Sequence, residues 1–192
     1  MTDVLADVRA HLRANFASEP DSASVTFVGT EPIEVLRFGP DEDGVVHYVS
    51  LGCSRHPMTD PAEIAADPLR GPRAEVTISL RGPSPPGLVR SVAVLAATPA
   101  VEGLVLVPDA LVDLESPLWD GAPFTAFLLG RSEISEVELP SPRDPVAVLS
   151  ATPITATEAA WVRLKGADAM REAWRTDGVD VLDPTRRASA PS

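Results

Sequence analysis

The chain has 192 residues, with 44% hydrophobic and 23% charged side chains, which suits one globular domain with a single buried core. It has 16 Lys and Arg residues and 28 Asp and Glu residues, which give a formal net charge of −12. Nucleic-acid binding needs a clustered basic surface, and the only tight basic pair is Arg186 and Arg187. The composition therefore argues against nucleic acid and anionic membrane as partners and favours a basic protein.

The cysteine count and the N-terminal sequence together predict the cellular compartment of the protein. Cys53 is the single cysteine, so an internal disulfide is impossible and a reducing compartment is expected. The start lacks the basic-then-apolar pattern of a signal peptide, and no stretch approaches the roughly 20 apolar residues of a membrane span. We expect a cytoplasmic protein without membrane contact.

The first half of the chain alternates short apolar segments with turn residues. Residues 3–17 carry an apolar stripe at helical spacing and predict a helix with Thr2 as N-cap. Residues 52–73 contain four prolines and predict a long irregular loop, which is typical of a functional or mobile segment. Strands are predicted at 24–28, 33–38, 45–51 and 74–80, and a largely buried helix at 88–97, ended by Thr98 and Pro99.

The second half predicts three short strands, a pair of helices and a last strand. Thr155 and Glu158 form a capping-box pattern, so a helix should begin there with Trp161 and Leu164 facing the core. Met170 and Trp174 mark a second helix after Gly166. The strands are expected at 104–107, 125–129, 146–150 and 179–182.

Clustered strands that do not alternate strictly with helices predict an α+β fold with a mainly antiparallel sheet flanked by helices. We expect one domain over residues 1–187. The small-residue segment 188–192 is expected to be a disordered tail.

No arrangement of residues predicts a cofactor or a metal. The histidines His11, His47 and His56 have no Cys or carboxylate at metal-ligand spacing, and phosphate-binding glycine motifs are absent. Cys53 and His56 are three residues apart and leave open a cysteine-dependent hydrolase, which needs the base to reach the sulfur. A small buried cysteine is the simpler interpretation, so we do not expect an enzyme.

Several segments in order resemble the suppressor-of-fused family. HYVSLGCS at 47–54 is similar to its strand that ends in a Gly-x-Ser turn, and EVTISL at 75–80 is similar to its Glu-[Leu/Val]-Thr strand. Residues 116–118 (SPL), 155–158 (TATE), 166–170 (GADAM) and 183–187 (DPTRR) follow in the family's order. The resemblance spans roughly residues 25–187.

The resemblance implies an α+β domain that binds other proteins, in animals a Hedgehog-pathway transcription factor. This chain lacks the tyrosine and aspartate that those members use, so we do not expect that role to carry over. Bacterial single-domain relatives suggest an immunity protein that neutralises a basic toxin, and alternatives are a regulator of a protein partner or a scaffold component of a secretion or signalling complex. Binding residues concentrate on long loops, so the candidate contact residues are Arg55, His56, Met58, Arg70, Arg73 and Trp119. Trp119 could equally cap the core.

Overall fold

A computed structural model describes residues 3–189. Four helices pack on one seven-stranded sheet. The helices are α1 (Val4–Phe16), α2 (Leu88–Glu102), α3 (Ala156–Lys165) and α4 (Ala167–Asp177). The strands are β1 (Asp21–Val25), β2 (Ile33–Phe38), β3 (Val45–Leu51), β4 (Arg73–Arg81), β5 (Leu111–Asp113), β6 (Phe124–Arg131) and β7 (Val146–Thr155).

The sheet has the strand order β1-β2-β3-β4-β7-β6-β5. Every neighbouring pair is antiparallel except β4 and β7, which run parallel with Arg73 opposite Val146. A parallel pair needs a long crossover, and here α2, β5 and β6 supply it. The predicted α+β class with a mainly antiparallel sheet is confirmed.

Helices cover both faces of the sheet. The nearly uncharged α2 lies on one face, where its buried side chains join the largest apolar cluster together with β2, β3, β4 and β6. On the other face α1 packs over β2 and β3 through Val8 and Leu12. There α3 and α4 pack over β6 and β7 through Val162, Met170 and Trp174. The loop that joins β3 to β4 is therefore held at both ends by the rigid middle of the sheet.

Helix α2 is longer than predicted because Pro99 does not end it. A proline in a helix leaves the carbonyl four residues earlier without its usual donor. That carbonyl belongs to Leu95, and the hydroxyl of Thr98 donates to it at 2.7 Å. The helix continues to Glu102 and is ended by Gly103, whose φ of 69° is in the left-handed region.

Helix α1 begins one residue later than predicted, with Asp3 as N-cap, its carboxylate accepting from the Leu5 N–H at 3.1 Å. The predicted N-cap, Thr2, lies outside the described residues. In α3 the capping box of Thr155 and Glu158 is present, with bonds of 3.0 and 3.2 Å. Leu164 was predicted to face the core but is 75% exposed, because α3 buries the opposite side, which carries Ala159.

The first strand was predicted three residues too late, at 24–28, because β1 spans Asp21–Val25. Two strand predictions are wrong, since residues 104–107 and 179–182 form no strand, and β5 was missed. Residue 179 follows Gly178, the C-cap of α4, and its N–H donates to Trp174 O at 2.9 Å. The tail also differs from expectation, because Ser189 is 3% exposed and its hydroxyl donates to Asp177. Residues 190–192 lie outside the described residues.

Candidate functional site

The segment between β3 and β4 is an exposed loop with an ordered base. It begins with a single helical turn at Cys53–Arg55 and then runs without regular structure to Arg73. All residues from 60 to 70 are exposed. Ile64 is fully exposed and Leu69 is 42% exposed. Apolar side chains held away from the core in this way are available to a partner.

Glu75 of β4 holds the first turn of the loop. Its fully buried carboxylate accepts from the N–H groups of Gly52 and Ser54, at 2.8 and 2.9 Å, and from the Ser54 hydroxyl at 2.6 Å. The hydroxyl of Ser50 is a fourth donor. Burial raises the pKa of Glu75 above its ordinary value of 4.5, and these hydrogen bonds oppose that shift. A buried carboxylate saturated with donors fixes the turn.

The turn also requires glycine at position 52. The φ of Gly52 is 145°, within the range that side chains rarely adopt. A Cβ there would lie 3.0 Å from Ile33 Cδ1 and 3.1 Å from Pro32 O. The Gly-x-Ser pattern at 52–54 therefore has a structural reason: glycine allows the close approach and Ser54 donates to Glu75.

Arg73 joins the two ends of the loop. It is 3% exposed, and its Nη1 donates to the carbonyls of Ser54 and Arg55 at 2.8 and 2.9 Å. Burial lowers the pKa of its guanidinium. A further hydrogen bond joins the two ends of the loop, because the Met58 N–H donates to Pro72 O at 2.7 Å. Exposed residues at the tip are thus carried on a fixed base.

The six candidate contact residues do not form one surface. Met58, Arg73 and Trp119 are at most 7% exposed, and of these only Met58 and Arg73 lie beneath the loop. His56 and Arg70 are exposed, and Arg55 is partly exposed. Trp119 belongs to the main apolar cluster, with its ring centroid 5.3 Å from that of Phe124. Trp119 was predicted to share one contact surface with the loop, whereas it lines a separate groove between α2 and β5.

Cys53 and His56 are not arranged as a nucleophile and its base. Burial, with the nearby charge of Glu75, raises the pKa of the Cys53 thiol well above 9.0, so the thiol is protonated at neutral pH. His56 Nε2 instead lies 2.8 Å from the carboxylate of Glu31. Within residues 3–189, no hydrogen bond joins Cys53 to His56. The geometry does not favour the cysteine hydrolase.

A second buried carboxylate fastens the C-terminal segment to the fold. Glu158 of α3 accepts two bonds from the Arg186 guanidinium, both 3.0 Å, and one from Trp174 Nε1 at 2.8 Å. Burial alone would raise the pKa of Glu158, but the hydrogen bonds from Arg186 and Trp174 outweigh it and hold the pKa below 4.5. The sequence predicts Glu158 as a capping residue and Arg186 as part of a basic pair, and it matches their two segments to the family separately. The pairing was missed because the two are far apart in sequence.

Two further classes of site are not formed by the described part of the chain. Among residues 3–189, no three His, Cys, Asp or Glu side chains are grouped as metal ligands would be. None of the described helices is long and apolar enough to cross a membrane.

The fold and the anchored loop define an α+β domain, and comparison with known proteins places it in a family. The sequence profile of "Suppressor of fused protein (SUFU)" matches residues 29–187. The chain belongs to the suppressor-of-fused family, whose domain is known as a protein-interaction domain. None of the curated proteins matches the sequence significantly.

Solved structures with the same fold include distant relatives. A putative SUFU homologue from Neisseria gonorrhoeae has a TM-score of 0.67 and 20% identity, covering 99% of this chain and 98% of that one. A chain of the Sufu–Fu complex has a TM-score of 0.71 and 14% identity, covering 96% and 91%. Drosophila Suppressor of Fused has a TM-score of 0.68 and 15% identity, covering 97% of this chain and 51% of that one. Identities this low show a shared fold.

Proposed function

We propose that this chain is a non-catalytic protein-binding domain whose contact surface is the loop 54–73. One observation carries the proposal: the loop exposes its tip fully while two buried charged side chains, Glu75 and Arg73, fix its base. Binding residues on a loop held by a rigid scaffold lose little conformational entropy on association. An exposed, pre-organised loop is what a protein-binding surface requires.

The exposed chemistry of the loop suits a protein surface rather than a small molecule. Ile64 and Leu69 offer apolar contact, and Arg70 is an exposed guanidinium. Beside them His56 and Glu31 form a polar pair at 2.8 Å. Apolar centres bordered by polar and Arg side chains are typical of protein interfaces. The solved Sufu–Fu complex, in which a protein of this fold binds a second protein, supports the same kind of activity here.

The finer role that we propose is neutralisation of a basic toxin or regulation of a basic protein partner, in the cytoplasm of a bacterium. The net charge of −12 supports a basic partner, because complementary charge speeds encounter and disfavours acidic competitors. The fold shared with the Neisseria gonorrhoeae homologue supports a bacterial setting. Co-expression with the products of neighbouring genes separates the roles. Rescue of growth from a toxic product supports neutralisation, and association with secretion proteins supports a scaffold.

The surface is tested by affinity capture with three forms of the chain. The forms are wild type, a loop variant carrying I64D and R70E, and the control L164D. Leu164 is also exposed but lies on α3, away from the loop. We expect wild type and L164D to retain the same protein from native cells, and the loop variant to lose it. Equal retention by all three folded proteins would contradict the loop as contact surface, and capture of no protein would contradict the binding function.

A further inference from the structure

A cavity lies over the middle of the sheet, on the face that carries α1, α3 and α4. Helix α1 covers β2 and β3 on one side of it, and α3 and α4 cover β6 and β7 on the other. The cavity has a volume of about 670 Å³, and its walls are the end of α1, the β2–β3 turn and residues 131–134 after β6. None of its lining belongs to the loop 54–73. Its size is typical of a site for a small molecule or a side chain.

The floor of the cavity is polar. His47 of β3 is opposite Ser79 of β4, and Thr77 of β4 is opposite Ser150 of β7. Side chains of paired residues share a face, and so do those of residues two apart along one strand. All four of these side chains line the cavity. Hydrogen-bonding groups from three neighbouring strands therefore face the same space.

The protons of two floor hydroxyls are already used. The Ser150 hydroxyl donates to the Arg131 carbonyl at 3.2 Å. His47 Nε2 lies 3.2 Å from the Asp41 carboxylate, which can only accept, so this nitrogen carries the proton. In the neutral ring Nδ1 then accepts, and the Ser79 hydroxyl donates to it at 2.8 Å. The hydroxyl oxygens of Ser79 and Ser150 can therefore only accept hydrogen bonds from a ligand.

Thr77 contributes a buried hydroxyl that has no partner. The residue is 6% exposed, and its Oγ1 forms no hydrogen bond within residues 3–189. Buried polar groups are nearly always hydrogen-bonded, and one left without a partner costs about 1–3 kcal/mol. Because Thr77 lines the cavity, a ligand bound there can supply the missing partner.

The rim of the cavity is acidic. The exposed carboxylates of Asp41, Asp43 and Glu133 are accompanied by one exposed guanidinium, that of Arg131. Asp41 is paired with His47, whereas Asp43 and Glu133 form no ion pair in the described part of the chain. Three negative charges against one positive charge favour a cationic ligand. The acceptor groups of the floor add that this cation should carry N–H donors.

We propose that the cavity binds a guanidinium group on an alkyl chain. Its N–H groups donate to the hydroxyl oxygens of the floor, and the acidic rim balances its charge. A guanidinium is planar and carries five N–H donors, so it can bond several acceptors spread over a sheet at once. The group belongs either to a free small molecule or to an arginine side chain of a partner protein. The cavity is separate from the loop 54–73, so this proposal does not rest on the proposed function.

Titration of the isotope-labelled full chain with N-butylguanidinium, followed by NMR, tests this chemistry. The control ligand is N-butylurea, which has nearly the same shape but no charge and fewer N–H donors. We expect saturable shifts of the amide signals of Thr77, Ser79 and Ser150, and an affinity at least about tenfold weaker for the urea. Equal affinities, no binding, or shifts confined to residues outside the cavity would each overturn the proposal.

A capped tripeptide, acetyl-Gly-Arg-Gly-amide, separates the two sources of the guanidinium. If it binds at least as tightly as N-butylguanidinium and shifts the same amide signals, the site takes an arginine of a partner protein. If the free compound binds and the peptide does not, the site takes a small molecule. Failure of both ligands to bind would overturn the site.

The variant T77V tests the floor with little risk to the fold. Valine keeps the shape of threonine and removes a hydroxyl that has no partner, so the free energy of unfolding should not decrease. The affinity for N-butylguanidinium should fall by at least about tenfold. Unchanged affinity in T77V would contradict the role of this hydroxyl and with it the proposal.

Matched charge variants separate the cavity from general attraction to an acidic protein. The rim variant is D43N/E133Q, and the control variant, E102Q/E115Q, removes two exposed carboxylates outside the cavity. We expect the rim variant to bind N-butylguanidinium about threefold more weakly than the control variant does, because exposed charges contribute modestly. Equal affinities in the two variants would overturn the assignment of the cation to this cavity.

Discussion

Glu75 accepts two hydrogen bonds from Ser54, one from the backbone N–H at 2.9 Å and one from the hydroxyl at 2.6 Å. This relationship ties the middle strand of the sheet to the first turn of the loop. No cation neutralises Glu75 among the described ion pairs, so its charge is balanced by hydrogen bonds alone. The sheet thereby determines the geometry of the proposed contact surface.

Replacing Glu75 by alanine should destabilise the protein strongly. The change leaves two N–H groups and two hydroxyls at the base of the loop without an acceptor, and each buried unsatisfied donor costs about 1–3 kcal/mol. We expect the free energy of unfolding, measured by urea denaturation, to fall by at least about 3 kcal/mol. The exposed loop residue Glu63 provides the control E63A, which should change little. A loss in E75A no larger than that of the control would contradict the anchoring role.

The two buried glutamates should give opposite pH dependences. The raised pKa of Glu75 means that the folded state holds this proton more tightly than the unfolded state. Its contribution to stability is complete below pH 4.5 and is lost as pH rises through the folded pKa. The lowered pKa of Glu158 reverses the sign: its contribution is present above pH 4.5 and is lost as pH falls through the folded pKa.

Gln variants isolate each effect in urea denaturation from about pH 3 to 8. The stability of wild type relative to E75Q should decrease as pH rises, and the stability of wild type relative to E158Q should decrease as pH falls. Parallel pH profiles for wild type and either variant would refute the corresponding pKa shift.

Local patterns in the sequence were sufficient for much of the fold. The bounds of β2 and β3 were predicted correctly. Each is an alternating or continuous run of apolar residues between turn residues, which leaves little choice of where the strand begins and ends. The strand β5 could not be predicted, because Leu111–Asp113 has only three residues and gains its strand geometry from pairing with β6. At 104–107 the apolar pattern suggested a strand, yet Leu104 and Val107 are partly exposed and the segment pairs with no strand.

The candidate site was harder to predict because burial depends on tertiary structure. Arg73 and Met58 lie in a polar, proline-rich loop, so nothing local distinguishes them from the exposed Arg70. Their burial follows from contacts with Ser54 and with residue 106, which donates its N–H to Met58 Sδ at 3.2 Å. The proline content of residues 52–73 identified the loop, whereas the direction of each side chain needed the structure.

The ion pair of Arg186 with Glu158 should be essential for stability. Removing one partner of a buried pair leaves the other charge uncompensated, which costs about 3–5 kcal/mol. We expect R186A to lose that much free energy of unfolding, and R186K to lose less, because a lysine keeps the charge but not the two-bond geometry. The neighbouring Arg187 is exposed, so R187A is the control and should behave as wild type. Wild-type stability in R186A would show that the pair contributes nothing.

The thiol of Cys53 should react slowly with alkylating reagents and should not be needed for partner binding. Its raised pKa leaves almost no thiolate at neutral pH, and the thiolate is the form that reacts with alkylating reagents. We expect iodoacetamide to modify folded wild type at pH 8 at least about tenfold more slowly than it modifies the urea-unfolded chain. C53A should also retain any captured partner. Fast modification of the folded chain, with loss of a cellular phenotype in C53A, would instead revive the cysteine-dependent enzyme, because only a reactive thiolate near a base explains both results.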